Sequence, residues 1–250
     1  MREIAGPQWA TRLRALTPAR VGLGRTGVSQ ETRELLEFQR AHAMARDAVH
    51  ARLDAATLAG AIGEISGGEV LLLHSRATDR VTYLQRPDLG RRLDDASREA
   101  LANLKRDEWE LAVVVVDGLS ALAVERHVAP LLRVWLPRVG GWRIAPVCVV
   151  EQGRVAIGDA VGEELAVKLC VVLIGERPGL SSPDSLGAYI TWEPREGRTD
   201  AERNCISNIR VEGLSYGQAA TQLCSYLEEA RRRRLTGVAL KAASRLLEEG

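Results

Sequence analysis

The sequence predicts an α/β protein with a doubly wound, mostly parallel sheet, preceded by a small helical segment. Two short runs, Leu111–Val116 (LAVVVV) and residues 169–174 (LCVVLI), are entirely apolar and rich in β-branched residues. Such runs are typical of strands that are buried on both faces inside a parallel sheet. Because strands alternate with helical stretches from about residue 55 onward, we expect right-handed crossover connections.

Length and composition bound the class of protein. A chain of 250 residues can bury a substantial core, and its formal net charge of +1 argues against nucleic acid or an anionic membrane as the main partner. The sequence has no apolar run that could span a bilayer and no signal-peptide core at the amino terminus, so we expect an intracellular protein. The four cysteines and four histidines form no metal-binding pattern, and we expect reduced thiols and no metal site.

The first 54 residues differ from the remainder and predict a helical arm. Gly22, Gly24 and Gly27 match the G-x-G-x-x-G pattern of dinucleotide sites, but no strand of useful length precedes them, so we interpret them as a flexible loop. Ser29 is the expected N-cap of a helix over residues 30–52. That helix carries an apolar stripe, which must pack on the main domain or on another chain. The stripe consists of Leu35, Leu36, Phe38, Ala41, Ala45, Val49 and Leu53.

The main domain, residues 55–250, begins with two predicted strands and a helix. We expect strands over residues 69–73 and 81–84, then a break at 87–90 and an amphipathic helix over 93–104. The buried strand Leu111–Val116 follows, after which Ser120 can cap a helix that continues to about residue 136.

The second half of the domain continues the alternation. A strand over residues 145–150 is expected to continue through a turn at Gln152 and Gly153 into residues 154–157. A short helix over 159–166, the strand over 169–174 and a final strand over 188–192 come next. A loop containing residues 204–208 precedes the last long helix, 216–234, whose terminal arginines complement its dipole. The tail, 235–250, has helical periodicity.

Polar and small residues follow two of the buried strands. The segments 117–120 (DGLS) and 175–179 (GERPG) each begin where a strand ends, so both are expected at the same edge of the sheet, where α/β proteins bind ligands. Asp117, Glu176 and Cys205 are the polar candidates there, and carboxylates can accept hydrogen bonds from ligand amides. Neither Ser120 nor Cys205 has a recognisable histidine partner. The residues alone therefore predict a ligand-binding domain without its own reaction centre.

Several stretches, taken together, resemble the light chain of ethanolamine ammonia-lyase, an adenosylcobalamin-dependent enzyme family. The likeness runs from near the amino terminus to the start of the last helix. The matching stretches are 16–20 (LTPAR), 24–27 (GRTG), 86–93 (RPDLGRRL), 117–120 (DGLS), 153–155 (GRV), 175–180 (GERPGL) and 205–208 (CISN).

The resemblance implies a Rossmann-like domain that binds adenosylcobalamin between this chain and a separate large chain, a β/α barrel that holds ethanolamine. Three family contacts carry over by motif. Val155 would make an apolar contact, Glu176 would accept hydrogen bonds from the cofactor, and Cys205 would form a small polarisable wall. Asp117 is a further candidate on its strand-end position alone. No catalytic side chain is expected on this chain.

The implied reaction converts ethanolamine to acetaldehyde and ammonia by a radical mechanism that requires the large chain. The D-x-H-x-x-G motif of mutase-type cobalamin domains does not occur, so we expect the cofactor to keep its own dimethylbenzimidazole on cobalt. We expect a cytoplasmic complex, either free or inside a bacterial microcompartment. Two alternatives stay open: a self-sufficient nucleotide-binding oxidoreductase, and a non-catalytic scaffold.

Overall fold

The structure, a computed structural model, describes residues 8–17, 19–104 and 108–240. Its α-helices are α1 (Gln8–Leu16), α2 (Thr32–His50), α3 (Ala55–Ser66), α4 (Arg80–Gln85), α5 (Asp95–Ala102), α6 (Ala121–Trp135), α7 (Ile157–Glu164) and α8 (Tyr216–Arg233). Its strands are β1 (Arg25–Thr26), β2 (Ser29–Gln30), β3 (Val70–His74), β4 (Leu111–Val116), β5 (Val147–Glu151), β6 (Leu169–Gly175), β7 (Leu186–Trp192) and β8 (Arg203–Ile209).

A six-stranded sheet with the order β3-β5-β4-β6-β7-β8 forms the centre of the protein. The first four strands in that order are parallel neighbours, whereas β7 is antiparallel to β6 and β8 is antiparallel to β7. Five of the six strands therefore point in one direction. Every residue of β4 and β6 is buried, as their unbroken apolar sequences require. The predicted α/β fold with a mostly parallel sheet is confirmed.

The two faces of the sheet are covered unequally. Helices α3, α6 and α8 pack on one face, where α8 reaches β7 and β8. On the other face, α5 packs against β3 and α7 packs against β4 and β6. The side chains that β7 and β8 present to this second face include Tyr189 and Cys205, which are only half-buried. The second face is thus partly open beside α7.

Two predicted strands are wrong. Residues 81–84 lie in helix α4, because the Asp79 carboxylate accepts a hydrogen bond from Thr82 N at 2.9 Å and caps a helix there. Such a short apolar run does not by itself distinguish a strand from a buried helix. Residues 154–157 form a turn that leads into α7, since Ile157 N donates to the Arg154 carbonyl at 2.9 Å.

Two further expectations need correction. Residues 204–208 are not a loop but part of strand β8, an edge strand that pairs with β7 and in which Asn204 and Ile206 are buried while Ser207 and Asn208 are exposed. Ser29 is not a helix cap: it lies in β2, and Glu31 occupies the N-cap position of α2. The helix capped by Ser120 and the last long helix are confirmed. In the tail, residues 241–250 lie outside the described residues.

The amino-terminal arm contains a hairpin between its two helices. Strands β1 and β2 pair around Gly27, so the glycine-rich motif at 22–27 includes a two-residue strand and the turn of a hairpin. The motif therefore lies in a hairpin rather than in the expected flexible loop, and it does not link a long strand to a helix as a dinucleotide site requires. Ala48 is the buried residue of α2, and Arg80 Nε donates to the Val49 carbonyl at 2.7 Å. The arm is therefore held to the sheet mainly at the carboxyl end of α2, and the division at residue 54 stays a prediction.

The described helices include none that is long and apolar enough to cross a membrane.

The ends of β4 and β6 approach each other through two glycines. Leu119 N donates to the Gly175 carbonyl at 2.9 Å, and Gly118 has a positive φ of 60°. A Cβ on Gly118 would lie 2.3 Å from the Gly175 carbonyl oxygen, closer than real Cβ contacts allow. The close approach of these two strand ends therefore requires glycine at position 118.

We expect Gly118→Ala to lower the free energy of unfolding of the chain by at least about 1–2 kcal/mol, because alanine is strained at this φ and collides with backbone. The matched control is Gly60→Ala in α3, where a new Cβ meets nothing within 4 Å. That change should raise the stability by about 1 kcal/mol, since alanine favours helix interiors. Urea denaturation followed by circular dichroism measures both, and equal effects would contradict the analysis.

Candidate functional site

The carboxyl ends of β4 and β6 form the crevice at which α/β sheets bind ligands. The chain leaves β4 toward β5 on one side and leaves β6 toward β7 on the other, so the connections diverge between them. A cavity of about 390 Å³ opens at this point. It brings Val155 and Glu176 together, as expected for residues at the same edge of the sheet. Its lining residues are Tyr83, Leu119, Arg154, Val155, Ile174, Gly175, Glu176, Arg177 and Tyr189.

The Glu176 carboxylate is held by its second oxygen. Oε2 accepts hydrogen bonds from Ser185 Oγ and from Asn208 N, the latter at 3.2 Å. Oε1 accepts no hydrogen bond from the part of the chain that is described, and it lies 3.0 Å from the place where a Cβ on Gly187 would stand. Glycine at that position lets the carboxylate lie against β7. The fixed carboxylate thus keeps one oxygen available to a ligand.

Cys205 borders the same cavity through Tyr189. The two residues are register partners on β8 and β7, so their side chains are neighbours on the same face of the sheet. Burial, with Cys205 and Glu176 nearby, raises the pKa of the Tyr189 phenol above its usual value, so the phenol stays protonated. Cys205 does not itself line the cavity. The structure therefore places all three expected contact residues in one neighbourhood, with Tyr189 between Cys205 and the other two.

Asp117 shapes the site without facing it. Its carboxylate is 1% exposed and accepts hydrogen bonds from the backbone N–H groups of Gly118, Gln152 and Gly153 at 2.8, 2.9 and 3.1 Å. Burial raises its pKa to about 6, although these donors and Arg80 oppose the shift. The carboxylate fixes the turn that presents Val155. Asp117 lines none of the cavities at this edge, so it positions the turn rather than contacting a ligand.

A stack of three side chains forms one wall of the cavity. The guanidinium groups of Arg80 and Arg154 lie 4.8 and 4.1 Å from the ring centroid of Tyr83. Arg80 is itself buried and donates to the Gly118 carbonyl at 2.8 Å. The buried Tyr83 hydroxyl has no hydrogen-bond partner among the described atoms. A buried hydroxyl without a partner is costly, so a ligand that pairs with it would gain affinity.

Two larger cavities adjoin the first one. One, of about 650 Å³, lies between α2 and residues 177–180, and the other, of about 640 Å³, lies beside α7. Arg154 lines all three, so the three cavities adjoin along the carboxyl edge. Another cavity, of about 920 Å³, lies at the opposite edge and contains none of the site residues. Because the three cavities adjoin, the carboxyl edge can accommodate a broad, flat ligand that is larger than any one of them.

Among the described residues, no nucleophile lies beside a general base at this edge. Ser120 Oγ caps α6 and donates to the Pro183 carbonyl at 2.9 Å, so it has a structural role. None of the four cysteines forms a disulfide, and within the described ranges no three acidic, histidine or cysteine side chains cluster in a metal-binding arrangement. The arrangement can bind and orient a ligand.

Sequence reasoning missed Tyr83, Arg154 and Tyr189. Arg154 lies inside the motif at 153–155, and Tyr189 lies in a predicted strand next to residues that face the core. The sequence therefore gave a weak indication of both positions. Tyr83 was hidden by the wrong strand assignment at 81–84.

The comparisons with known proteins agree on one family. The family model of the ethanolamine ammonia-lyase light chain matches residues 7–241. A Pseudomonas aeruginosa protein named ethanolamine ammonia-lyase small subunit is 58% identical over 234 residues, covering 92% of this chain and 85% of that protein. A protein of the same name from Pseudomonas syringae pv. tomato is 54% identical over 239 residues, covering 94% of this chain and 83% of its own length. The chain therefore belongs to the ethanolamine ammonia-lyase small-subunit family.

Proposed function

We propose that this chain supplies one half of the adenosylcobalamin site of an ethanolamine ammonia-lyase and that the large subunit supplies the other half. The proposal depends on one observation: Val155 and Glu176 line the same cavity at the diverging strand ends, with Cys205 beside Tyr189, a third lining residue, on the neighbouring strand. These are the three residues that family resemblance indicates as cobalamin contacts. Because the chain belongs to the small-subunit family, we expect a large subunit to provide the remaining contacts to the cofactor.

The donors and acceptors at the site suit the chemistry of cobalamin. The corrin ring carries amide side chains, whose N–H groups need acceptors and whose carbonyls need donors. Glu176 Oε1 is an acceptor without a hydrogen bond from the described residues, and the buried Tyr83 hydroxyl is a donor without a partner. Val155 and Ile174 supply apolar surface between them. The cavity therefore offers hydrogen-bonding groups for the amides at the edge of a corrin and apolar side chains for its plane.

The residues of this chain bind, orient and shield rather than react. When bound, adenosylcobalamin supplies the carbon radical that starts the conversion of ethanolamine to acetaldehyde and ammonia. Glu176 and Tyr83 would fix the ring by hydrogen bonds, while Val155 and Cys205 would exclude water from its face. The side chains that hold ethanolamine would belong to the large subunit, because no acid–base pair stands at this edge of the described chain.

The arm carries an apolar surface suited to the large subunit. Eight of the thirteen exposed large hydrophobic side chains in the described ranges lie between residues 9 and 44. Helix α2 also lines the cavity that adjoins residues 177–180, through residues 42, 45, 46 and 49, so the arm borders the proposed cofactor site. A partner that completes the site would therefore cover the arm as well. The eight side chains are Trp9, Leu13, Leu16, Val28, Leu35, Leu36, Phe38 and Met44.

Reconstitution tests the proposed function directly. We expect tight cobalamin binding and turnover of ethanolamine only when this chain and the large subunit are combined, because each holds half of the site. Absorbance titration measures binding, and acetaldehyde production measures turnover, for each chain alone and for the pair. Turnover by either chain alone, or equally tight binding by the large subunit alone, would contradict the proposal.

We expect Glu176→Gln to weaken cobalamin binding by the reconstituted complex about tenfold, because a neutral amide accepts hydrogen bonds less strongly than a carboxylate. The matched control is Glu99→Gln on the exposed surface of α5, which should leave the affinity unchanged. Absorbance titration measures both dissociation constants. An unchanged affinity in the Glu176 variant would show that this carboxylate does not contact the cofactor.

We expect Leu36→Glu to weaken assembly with the large subunit at least tenfold, because it places a charge in the apolar surface of the arm. Leu72→Glu is the control: Leu72 is similarly exposed, at 53% against 58%, but lies on the edge strand β3. Analytical ultracentrifugation of mixtures measures assembly. Equal assembly of both variants would place the partner on another surface.

A further inference from the structure

The cavity beside α7 is unusually rich in arginine. It holds about 640 Å³ and contains three acidic residues, Asp159, Glu196 and Asp200, against five arginines. Val155 and Arg154 line both this cavity and the proposed corrin cavity, so the two adjoin. The arginines are Arg91, Arg92, Arg154, Arg198 and Arg203.

The acidic residues of this cavity already have partners. Arg203 forms a buried two-pronged ion pair with Asp159, with N–O distances of 2.6 and 2.7 Å, and also approaches Asp200. Glu196 pairs with Arg98, which lies outside the lining. The positive charge of the remaining arginines is therefore not neutralised by these carboxylates.

Of the five lining arginines, Arg198 pairs with Glu202 and Arg203 pairs with Asp159. Arg91, Arg92 and Arg154 form no ion pair within 4 Å among the described residues, although the Asp88 carboxylate is close enough to Arg92 to interact with it electrostatically. The position of Arg154 is fixed, since its backbone N donates to the Gly90 carbonyl at 2.7 Å and its Nη2 donates to the Tyr83 carbonyl at 3.1 Å. Its buried Nε has no hydrogen-bond partner among the described atoms. The Gly90 contact also brings the turn that carries Arg91 and Arg92 against Arg154.

An anion is the ligand class that this arrangement favours. Guanidinium groups bind phosphate oxygens through paired N–H donors, and such charge-assisted hydrogen bonds are stronger than neutral ones. A ligand that reaches from the apolar wall at Val155 to these arginines must combine a broad apolar ring with an anionic group.

We infer that Arg91, Arg92 and Arg154 bind the phosphodiester of the nucleotide loop of cobalamin. This inference rests on the proposed function, because it assigns the corrin to the cavity at Val155 and Glu176. Cobalamin carries its phosphodiester on a chain attached to the corrin edge, and it is the ionised group of that loop. The neighbouring amides need only neutral partners, whereas the phosphodiester benefits from a site with an excess of positive charge.

The test compares two ligands of the reconstituted complex: cyanocobalamin and cobinamide, a corrinoid that lacks the nucleotide loop and its phosphate. The double variant Arg91→Gln with Arg92→Gln should weaken cyanocobalamin binding at least tenfold and change cobinamide binding less than twofold. The double lysine variant, which keeps the charge, should retain part of the lost affinity. Arg133→Gln, an exposed arginine at the opposite edge, is the control and should change neither affinity.

Two results would overturn the inference. One is an equal loss for both ligands, which would mean that the arginines support the corrin or the fold. The other is unchanged cyanocobalamin binding, which would mean that the phosphate lies elsewhere. Failure of the proposed function gives a different pattern: Glu176→Gln would then leave both affinities unchanged, and the large subunit alone would bind as tightly as the complex. Equilibrium dialysis with absorbance detection measures every dissociation constant.

Discussion

The buried Asp117 carboxylate is the interaction on which the shape of the carboxyl edge depends. It joins the end of β4 to the turn after β5 through backbone N–H groups, and Arg80 faces it at 3.6 Å. Removing a carboxylate from water is costly, which is why burial raises its pKa. Arg80 in turn contacts α2 through the Val49 carbonyl. One buried charge thus connects two strand ends and, through Arg80, the attachment of the arm.

The unequal covering of the sheet explains where a large ligand can lie. Helix α7 packs closely on β6, since a Cβ on Gly158 would lie 2.2 Å from a Val172 methyl. The antiparallel strands β7 and β8 extend the sheet beyond that helix, and their second face carries Tyr189 and Cys205. A parallel sheet covered on both faces would leave only the narrow crevice between strand ends. Because β7 and β8 extend the sheet, the crevice opens onto a wider area of the second face, on which a large ligand can lie.

Much of the fold could be predicted because β4 and β6 are apolar at every position, and Ser120 and Ser215 are strong helix caps. Strand β8 was not predicted because it contains several polar residues, which are typical of a loop. Glu176 could be placed at the site because it directly follows a buried strand. Arg154 and Tyr83 could not, since their meeting depends on contacts between segments about 70 residues apart. Such long-range contacts leave no periodic pattern in the sequence.

The attachment of α2 by its last turn has a consequence for local stability. A helix whose buried contacts lie at one end opens at a lower free energy than the sheet, because little apolar surface must be hydrated when it detaches. In the isolated chain, amide hydrogens of the arm would exchange with solvent long before those of β4 and β6. Proteases would cut there first. Covering the arm with a second polypeptide would slow both processes without changing the sheet.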